Sequence, residues 1–510
     1  MTHTFTRVLG IFSALLFGAC GSTANSATSG SADASADTGP IGITATGIAA
    51  PSAFSCTSAS KSAAGFSWQK SATAGVVAYV VERASLAGDF VAQPAVDATA
   101  TTFADLTVAQ FTSYRYRVRA KVGDQLGDSS NEVTVGPPAT GFHVAAASTA
   151  GAEATFGAAV DLAIDGNGDP AVIFLDGSAL QFVGWDRRSG EWKAPQKVTS
   201  SLSIGGAGSN VATLGFDRAG SSGTYAVVWA RADGQEIDWA LSGDGGKTWK
   251  EDTIAVAPVK SSFSQPTLVM GSSKAHIAWL QDGARLFYAT GTLSTPPKMW
   301  TARKEAPVVA SADTLLPFAP AIALDGAQQP AVGYFCHSKD GGVIATYWQP
   351  GNANATQITN SVGFADPNPS LSLGFSGQAP RAAVTLHRSA TTAQAVWFVT
   401  SADGNSWSDA TALPVDGTGG GGLFTRMVTD AKGASAVVYA SSTPSGGKCG
   451  EPKLALSNDG KAWNTCSPDS DGSHGKIAQF SRIALGSDGK RYVAWQDPSV
   501  GGGVIAWREP

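Results

Sequence analysis

Two arginines stand in matching contexts near the C-terminal end of the 510-residue chain, Arg426 in FTRM and Arg482 in FSRI. A guanidinium group offers a planar fork of hydrogen-bond donors that suits carboxylate and phosphate oxygens, so two converging arginines would hold an anionic ligand. Asp161 and Asp366 are carboxylates that the repeat pattern described below places near the same point. We therefore predict a ligand-binding site that contains these four residues.

Phenylalanines precede the strands of interest in six repeats and form a second candidate group. Those before the arginines, Phe424 and Phe480, are predicted to bind ligand by stacking. The alternative is that all six seal one repeat against the next. The six are Phe156, Phe263, Phe318, Phe364, Phe424 and Phe480.

The element that positions these residues is a strand–turn–strand motif that recurs seven times after Pro138, for example as LAIDGNGDPAVIFLD and IALDGAQQPAVGYFC. Repeats of roughly 50 residues indicate a solenoid, propeller or array. Residues 140–148 could supply the strand that the last repeat lacks and so close a ring. We predict an all-β chain with a β-propeller over residues 139–510, seven-bladed, with six blades as the alternative. In the other repeats, the positions equivalent to Arg426 are predicted to be Asp161, Thr213, Thr267, Ala321 and Ser370, and Thr385 is predicted to occupy the place of the second-strand aromatic once.

Three repeats share a further turn that begins with serine and ends with tryptophan, as in SGDGGKTW. This turn resembles the Asp-box of sialidase-like (BNR-repeat) propellers, although two copies are one residue shorter. Serine and aspartate side chains can bond turn amides, so these residues are predicted to stabilise the fold and not to catalyse. The residues are Ser242, Asp244 and Trp249; Ser401, Asp403 and Trp407; and Ser457, Asp459 and Trp463.

The words FTRM and FSRI are similar to the arginine motif of the sialidases, in which arginine holds the substrate carboxylate, but both lack the proline of that motif. The resemblance also implies a third arginine, a tyrosine nucleophile and an acid, and the repeat pattern brings no such set together. Tyr334 and Tyr439 occupy the aromatic position of the second strand and are predicted to serve packing.

The N-terminal segment has the features of an exported, anchored protein. Residues 1–19 contain an apolar run of signal-peptide length, and the sequence before Cys20 resembles a bacterial lipobox, which implies lipidation at Cys20. Residues 20–40 contain no aromatic residue and no Leu, Ile or Val with which to build a core, and they are predicted to be a flexible linker. We expect a lipoprotein of the bacterial cell envelope, at the outer membrane or cell surface, whose only membrane contact is the lipid anchor.

Residues 41–138 show short alternating strands, with Arg115, Arg117 and Arg119 on one face of YRYRVRA. Together with Trp68, Tyr79 and Tyr114, this pattern resembles a fibronectin type III domain. The resemblance implies packing roles for the three aromatic residues and a spacer or docking role for the domain.

Cysteine and acidic residues give weaker signals. Cys449 and Cys466 flank a predicted hairpin and are expected to form a disulfide in an oxidising compartment, with free thiols as the alternative. Asp165 and Asp169 in DGNGD have calcium-loop spacing but are interpreted as a plain turn. His276, His337 and His387 lack zinc-site spacing. No metal and no cofactor is expected.

The net charge of −5 and the absence of a basic cluster argue against nucleic-acid binding. The favoured function is binding of a glycan, peptide or protein ligand on the channel face of the propeller, without catalysis. The alternatives are a divergent sialidase-like exo-glycosidase or lyase acting on anionic sugars, and a structural component of an envelope assembly. The sequence carries no signal for oligomeric state.

Overall fold

The computed structural model describes residues 47–109, 112–137, 141–146, 160–176, 179–200, 212–217, 223–293, 300–316, 318, 320–361, 369–386, 395–414, 421–442, 449–466, 468, 479–497 and 503–509. These residues form β-strands and turns, which confirms the predicted all-β class. Within this part of the chain, no helix has the length and apolar character needed to cross a membrane. Residues 45–510 form one compact unit.

The first strands form a sandwich of two sheets. One sheet has the order β1-β2-β6, and the other has the order β4-β3-β7-β8, with β5 on β3 and β9 on β7. Phe66, Trp68 and Tyr79 are buried between the sheets, in agreement with the packing roles predicted for Trp68 and Tyr79. The Tyr114 hydroxyl accepts a hydrogen bond from Ala109 N at 3.4 Å. The strands are β1 (Ser52–Ala59), β2 (Ala64–Gln69), β3 (Ala78–Ser85), β4 (Val91–Ala92), β5 (Val96–Asp97), β6 (Thr102–Asp105), β7 (Tyr114–Val122), β8 (Gln125–Ser129) and β9 (Val133–Val135).

The sandwich is hydrogen-bonded to the first propeller sheet through Gly136. Its N–H donates to Arg187 O at 2.9 Å, and its carbonyl accepts from the Trp185 indole at 3.0 Å. Gly136 has a φ of 139°, and a Cβ there would lie 2.6 Å from Ser113 Cα. Only glycine therefore fits this junction, which fixes the sandwich against the propeller.

Seven sheets follow, which we number as blades 1 to 7. Their strands are β11 (Asp161–Ile164), β12 (Pro170–Asp176), β13 (Ala179–Asp186), β14 (Glu191–Trp192) and β15 (Gln196–Thr199) in blade 1; β16 (Ala212–Asp217), β17 (Thr224–Ala230), β18 (Glu236–Ser242) and β19 (Lys250–Val256) in blade 2; β20 (Phe263–Gly271), β21 (Lys274–Gln281), β22 (Arg285–Thr292) and β23 (Lys304–Glu305) in blade 3; β24 (Ala312–Leu315), β25 (Ala321–Leu324), β26 (Pro330–Ser338), β27 (Val343–Trp348) and β28 (Thr356–Asn360) in blade 4; β29 (Ser370–Ser376), β30 (Ala379–Leu386), β31 (Ala395–Thr400) and β32 (Thr411–Ala412) in blade 5; and β33 (Gly421–Thr429), β34 (Ser435–Ser442), β35 (Cys449–Ser457) and β36 (Asn464–Cys466) in blade 6.

Blade 7 joins the two ends of the propeller. It consists of β37 (Gln479–Leu485), β38 (Arg491–Asp497), β39 (Gly503–Arg508) and, as its outer strand, β10 (Gly141–Ala146). Strand β10 pairs antiparallel with β39, from Gly141 opposite Arg508 to Ala146 opposite Val504. The sequence prediction that residues 140–148 supply the missing strand is therefore confirmed.

The inner strands β11, β16, β20, β25, β29, β33 and β37 each contact the next, and β37 contacts β11. Apolar side chains fill each gap between blades; for example, Leu162 and Phe174 of blade 1 pack with Tyr492 of blade 7. The seven sheets thus surround a common axis, which is the architecture of a β-propeller.

Blade 5 departs from the predicted register. The position equivalent to Arg426 is Ser372 and not Ser370, because Ser372 lies opposite Ala383. The next residue, Val384, and not Thr385, occupies the position that is aromatic in the other repeats. The second strand of blade 5 contains no aromatic residue that would mark its register in the sequence. Val384 points with Leu371 into the core between blades 4 and 5.

Candidate functional site

The beginnings of the inner strands enclose a cavity of about 190 Å³ on the propeller axis, which we call the mouth cavity. Both predicted arginines, Arg426 and Arg482, line it, as does Asp161. The structure thus brings together three residues that are as much as 321 positions apart in sequence. The rest of its described lining contains no charged side chain: Thr213, Leu214, Thr267, Leu268, Pro320, Ala321, Ile322, Leu371, Ser372, Leu373, Met427 and Ile483.

Asp161 and Arg482 form a buried ion pair across the junction between blades 1 and 7. The Arg482 Nε lies 3.3 Å from Asp161 Oδ1, and the two residues are 6% and 9% exposed. Two backbone amides also donate to the carboxylate, Leu162 N at 3.0 Å and Leu214 N at 2.8 Å. Burial raises the pKa of Asp161, and Arg482 and the amides counter it. Asp161 therefore joins three blades: its own, blade 2 and blade 7.

Arg426 lies on the neighbouring inner strand, β33, at the same level. Its Nη1 donates to Thr425 O at 2.9 Å, and Arg482 makes the equivalent bond to Ser481 O at 3.1 Å. Burial together with the positive charge of Arg482 lowers the pKa of Arg426 to about 9, and Asp161 opposes the shift. Two like charges therefore lie close together, and a bound anion would reduce their repulsion.

Hydroxyl side chains around the mouth link neighbouring blades, and sequence reasoning did not single them out as a group. Ser372 Oγ accepts from Met427 N at 2.9 Å, and Thr213 Oγ1 donates to Pro266 O at 3.1 Å. The bond from Met427 N to Ser372 repeats the arrangement of Leu214 N and Asp161, whereas Thr213 contacts the next blade through a carbonyl. The partners are 53 or 55 residues apart. That separation, about one repeat length, is the signal that could have identified them.

Both arginines follow a register shift in the pairing of their strands. The shift falls between Leu423 and Arg426 in β33, and between Gln479 and Arg482 in β37. Phe424 has a φ of 57°, a left-handed conformation that is uncommon for a phenylalanine. Bulges of this kind redirect side chains and are frequent beside binding sites. The Phe-Thr-Arg and Phe-Ser-Arg words therefore mark a change in pairing before each arginine.

The described phenylalanines pack between blades. Phe424 contacts the apolar clusters on both sides of blade 7, and Phe263 meets Trp279 edge-on at 6.1 Å between ring centroids. None of the phenylalanines is among the described residues lining the mouth cavity. Phe156, Phe364, Asp366, His387 and the side chain of Phe480 lie outside the described residues.

The tyrosines at the aromatic position are in the core, as predicted. Tyr334 and Tyr439 are 1% and 0% exposed, and their hydroxyls donate to Pro307 O and Pro414 O. Tyrosine is absent from the described lining of the mouth cavity, and Asp161 is the single carboxylate in that lining. The nucleophile and acid of a sialidase are therefore not assembled by the described residues.

A second, wider cavity of about 650 Å³ lies at the other ends of the inner strands, which we call the lower cavity. Leu214, Leu268, Ile322 and Ile483 line both cavities and separate them. Small and apolar residues dominate the lower cavity, including Ala163, Gly215 and Ala484. The described lining of the lower cavity contains one charged residue, Asp217, whereas that of the mouth cavity contains three.

The Asp-box residues form closed local networks. Ser242 Oγ accepts from Gly246 N at 2.8 Å, and Asp244 Oδ1 accepts from the amides of Lys247 and Thr248 at 3.0 Å. Ser401 with Asp403 and Ser457 with Asp459 repeat this arrangement. Trp249 packs on Phe182 of the preceding blade, with ring centroids 5.2 Å apart.

The Asp165–Asp169 loop is a turn stabilised by an arginine. Arg187 binds Asp169 through three contacts of 2.8 to 3.1 Å and also donates to Asn167 O at 2.9 Å. Asp165 Oδ1 accepts from the amides of Asn167 and Asp169. Burial raises the pKa of Asp169 to about 6, against the effect of Arg187. The carboxylate oxygens of the calcium-loop interpretation are therefore already bound to donors within the chain.

The predicted disulfide is wrong. Cys466 has a free thiol and lies opposite Leu454, whereas Cys449 lies opposite Ser442 at the other end of β35. Five residues of strand, about 17 Å, separate Cys449 from Leu454, which is too far for a disulfide. The Asp-box turn causes the offset because it centres the hairpin at Gly460, two residues later than expected.

No protein-family model and no curated protein matches this chain. Among solved structures, an ulvan lyase described as a new family of polysaccharide lyase aligns with 10% identity and a TM-score of 0.47, over 72% of this chain and 94% of the lyase. The NanB sialidase from Streptococcus pneumoniae aligns with 10% identity and a TM-score of 0.39, over 89% of this chain and 90% of the sialidase. An Fn3-like protein from Clostridium thermocellum aligns with 26% identity and a TM-score of 0.16, over 18% of this chain and 95% of that protein.

Proposed function

We propose that the propeller binds an anionic group of a glycan, peptide or protein ligand at the mouth cavity, without catalysis. The observation that carries this proposal is the convergence of Arg426 and Arg482 from adjacent inner strands on one small cavity. Each guanidinium offers several donors, and a bound carboxylate would accept from both. Binding would also offset the repulsion that lowers the pKa of Arg426.

The ion pair between Asp161 and Arg482 orients the Arg482 side chain in this site. The two backbone amides hold the Asp161 carboxylate in place, and this carboxylate in turn orients the Arg482 guanidinium at the cavity wall. Such preorganisation reduces the entropy lost on binding. Arg426 lines the cavity beside this pair and would contribute the second guanidinium to a bound anion.

The absence of catalysis is the second part of the proposal. Within the described lining, Asp161 is the only acid, and it is engaged by three donors. A glycosidase requires two acid–base or nucleophilic groups on either side of the scissile bond. Release of fluorophore from a sialyl or glucuronyl methylumbelliferyl substrate would contradict this part and favour the alternative, a divergent glycosidase.

Arg426→Gln is the test of the binding site, because Asp161 and Arg482 retain each other in this variant. With N-acetylneuraminate and D-glucuronate as soluble probes, and a glycan array that carries both, we expect at least roughly tenfold weaker binding than wild type. Arg285→Gln, at an exposed arginine of blade 3 that pairs with Glu305, is the matched control and should bind as wild type. Equal binding by the two variants would reject the site.

We also propose that Cys20 anchors the chain in the bacterial cell envelope, because of the lipobox-like sequence that precedes it. Fractionation of a Cys20→Ser variant tests this: the protein should leave the membrane fraction, and retention there would refute the anchor. Recovery of defined partners by crosslinking from native membranes, without glycan binding, would instead favour the structural role.

A further inference from the structure

Four of the seams between blades are covered by a tryptophan. In each, an indole near the end of one blade packs on an aromatic ring in the third strand of the preceding blade, with ring centroids 4.8 to 5.4 Å apart. The four covered rings occupy the same register in their blades. The pairs are Trp249 on Phe182, Trp300 on Trp239, Trp407 on Tyr347 and Trp463 on Phe398.

The seam between blades 3 and 4 differs. Tyr288, opposite Ala278, occupies the same register as the four covered rings. The turn of blade 4 that faces this position contains no tryptophan and consists of Gln349, Pro350, Gly351 and Asn352. Trp348 contacts Tyr288 from within β27 at 6.4 Å. The outer side of the seam opens into a cavity of about 630 Å³, which we call the seam pocket. It lies at the turn ends of the blades, and Gly271, Ser272 and Gln328 also line the lower cavity.

The seam pocket contains a buried histidine with one unused nitrogen. His276 lines the pocket, is 6% exposed, and its Nδ1 lies 2.7 Å from the Tyr288 hydroxyl. Its Nε2 makes no hydrogen bond to any described residue. Burial, with a smaller effect of Lys274, lowers the pKa of His276 to about 4, so the ring is neutral at pH 7. When the tyrosine hydroxyl donates to Nδ1, Nε2 carries the ring proton and is a hydrogen-bond donor.

The other lining residues are rich in hydrogen-bonding groups and carry positive charge. Two lysines, Lys274 and Lys304, line the pocket, and Asp and Glu are absent from its described lining. Lys304 Nζ is held by Pro350 O at 2.8 Å, which directs this charge to the seam. Amide and hydroxyl side chains, which can both donate and accept as sugar hydroxyls do, provide most of the remaining polar surface: Ser272, Thr290, Thr301, Gln328, Gln329, Gln349 and Asn352.

From these observations, we propose that the seam pocket binds an anionic monosaccharide unit, such as a uronate or a sulfated sugar. The ammonium groups hold the anionic substituent, and the amides, hydroxyls and His276 Nε2 bond the ring hydroxyls. This site is separate from the mouth cavity, because it is formed by the turn ends of blades 3 and 4 and shares no lining residue with it.

Nuclear magnetic resonance of histidine ring protons tests the proposal on the whole folded chain, which contains six histidines. The His276 signal is assigned by its loss in His276→Gln, and D-glucuronate, glucose 6-sulfate and neutral glucose are titrated separately. We expect saturable shifts of the His276 signal with at least one of the two anionic probes and none with glucose. The probe that shifts it identifies the anionic group as carboxylate or sulfate.

A double variant, Lys274→Ala with Lys304→Ala, should weaken this binding about tenfold or more, and both lysines are exposed. The matched control, Lys247→Ala with Lys461→Ala, removes two exposed lysines from Asp-box turns whose seams are covered by tryptophan, and should bind as wild type. No saturable shift with either anionic probe, equal shifts with glucose, or equal affinity of the two double variants would overturn the proposal.

Discussion

Asp161 at the channel mouth and Asp244 in an Asp-box are both aspartates that accept hydrogen bonds from backbone amides, yet their surroundings differ. Asp161 is buried, its pKa is raised by burial, and two of its three partners, Leu214 and Arg482, belong to other blades. Asp244 is exposed, and its partners lie within four residues. Burial acts to raise the pKa of Asp244, but hydrogen bonds from Thr248, Ser242 and Lys247 lower it to about 2.

This difference teaches that the motif visible in the sequence and the cluster able to bind a ligand are separate parts of the molecule. The Asp-box is recognisable because its hydrogen-bonding partners are close together in sequence, and its polar groups are satisfied within the turn. The mouth cluster is made of single residues, one from each of three repeats, which become neighbours only when the ring closes. Three predictions test whether the two regions differ in this way.

The largest effect is expected at Asp161. Asp161→Ala leaves Arg482 buried without its partner and removes the acceptor of Leu214 N, so the free energy of unfolding should fall by about 3–5 kcal/mol. Urea denaturation followed by tryptophan fluorescence measures the change. Asp244→Ala is the comparison variant and should cost about 1 kcal/mol, because its amides can bond water instead. Equal losses at the two sites would remove the distinction.

A smaller effect is expected at the tryptophan of an Asp-box. Trp249→Ala removes the ring that packs edge-on against Phe182, and the partly exposed indole should contribute about 2 kcal/mol to the free energy of unfolding. Trp249→Phe keeps an aromatic contact and should recover part of that loss. The same urea measurement applies, and a loss below the experimental error in Trp249→Ala would mean that the Asp-box does not seal this seam.

The smallest effect is expected on the stability of the protein at acid pH. The folded-state pKa of Asp244 is about 2 and its ordinary value is 3.8, so its stabilising contribution is present above pH 4 and is lost as the pH falls toward 2. In Asp244→Asn, the urea midpoint should therefore fall less steeply between pH 4 and pH 2 than in the wild type. Asp161→Asn should not flatten this part of the curve, because burial raises the pKa of Asp161.

Much of the fold could be predicted from the sequence because most blades are formed by consecutive strands of one repeat. The alternation of apolar residues gave the strands, the repeat spacing gave the ring, and the surplus segment before the first repeat gave the closing strand β10. The placement of Arg426, Arg482 and Asp161 followed from counting positions within repeats, with the aromatic residue of the second strand as the reference point. It failed in blade 5, where the second strand has no aromatic residue and the equivalent position is Ser372 and not Ser370.

Other features could not be predicted because they depend on contacts between distant segments. The register shift before each arginine is invisible in composition, since it arises from how β33 and β37 meet their partners. The offset of Cys466 from Cys449 depends on how many residues the Asp-box turn consumes. The seam pocket likewise exists only because blade 4 presents no tryptophan where Trp249, Trp407 and Trp463 cover the seams of other blades.

The pairing of β10 with β39 sets an order of events for the newly made chain. Strand β10 is synthesised before every blade, but its partner β39 follows the other six blades in the sequence. Until residues 503–508 arrive, β10 has no ladder to join, and the edge of β38 stays open to pairing with another molecule. A chain that loses those few residues to a protease would therefore be an uncapped ring with two reactive edges, prone to self-association, although six of its blades would be intact.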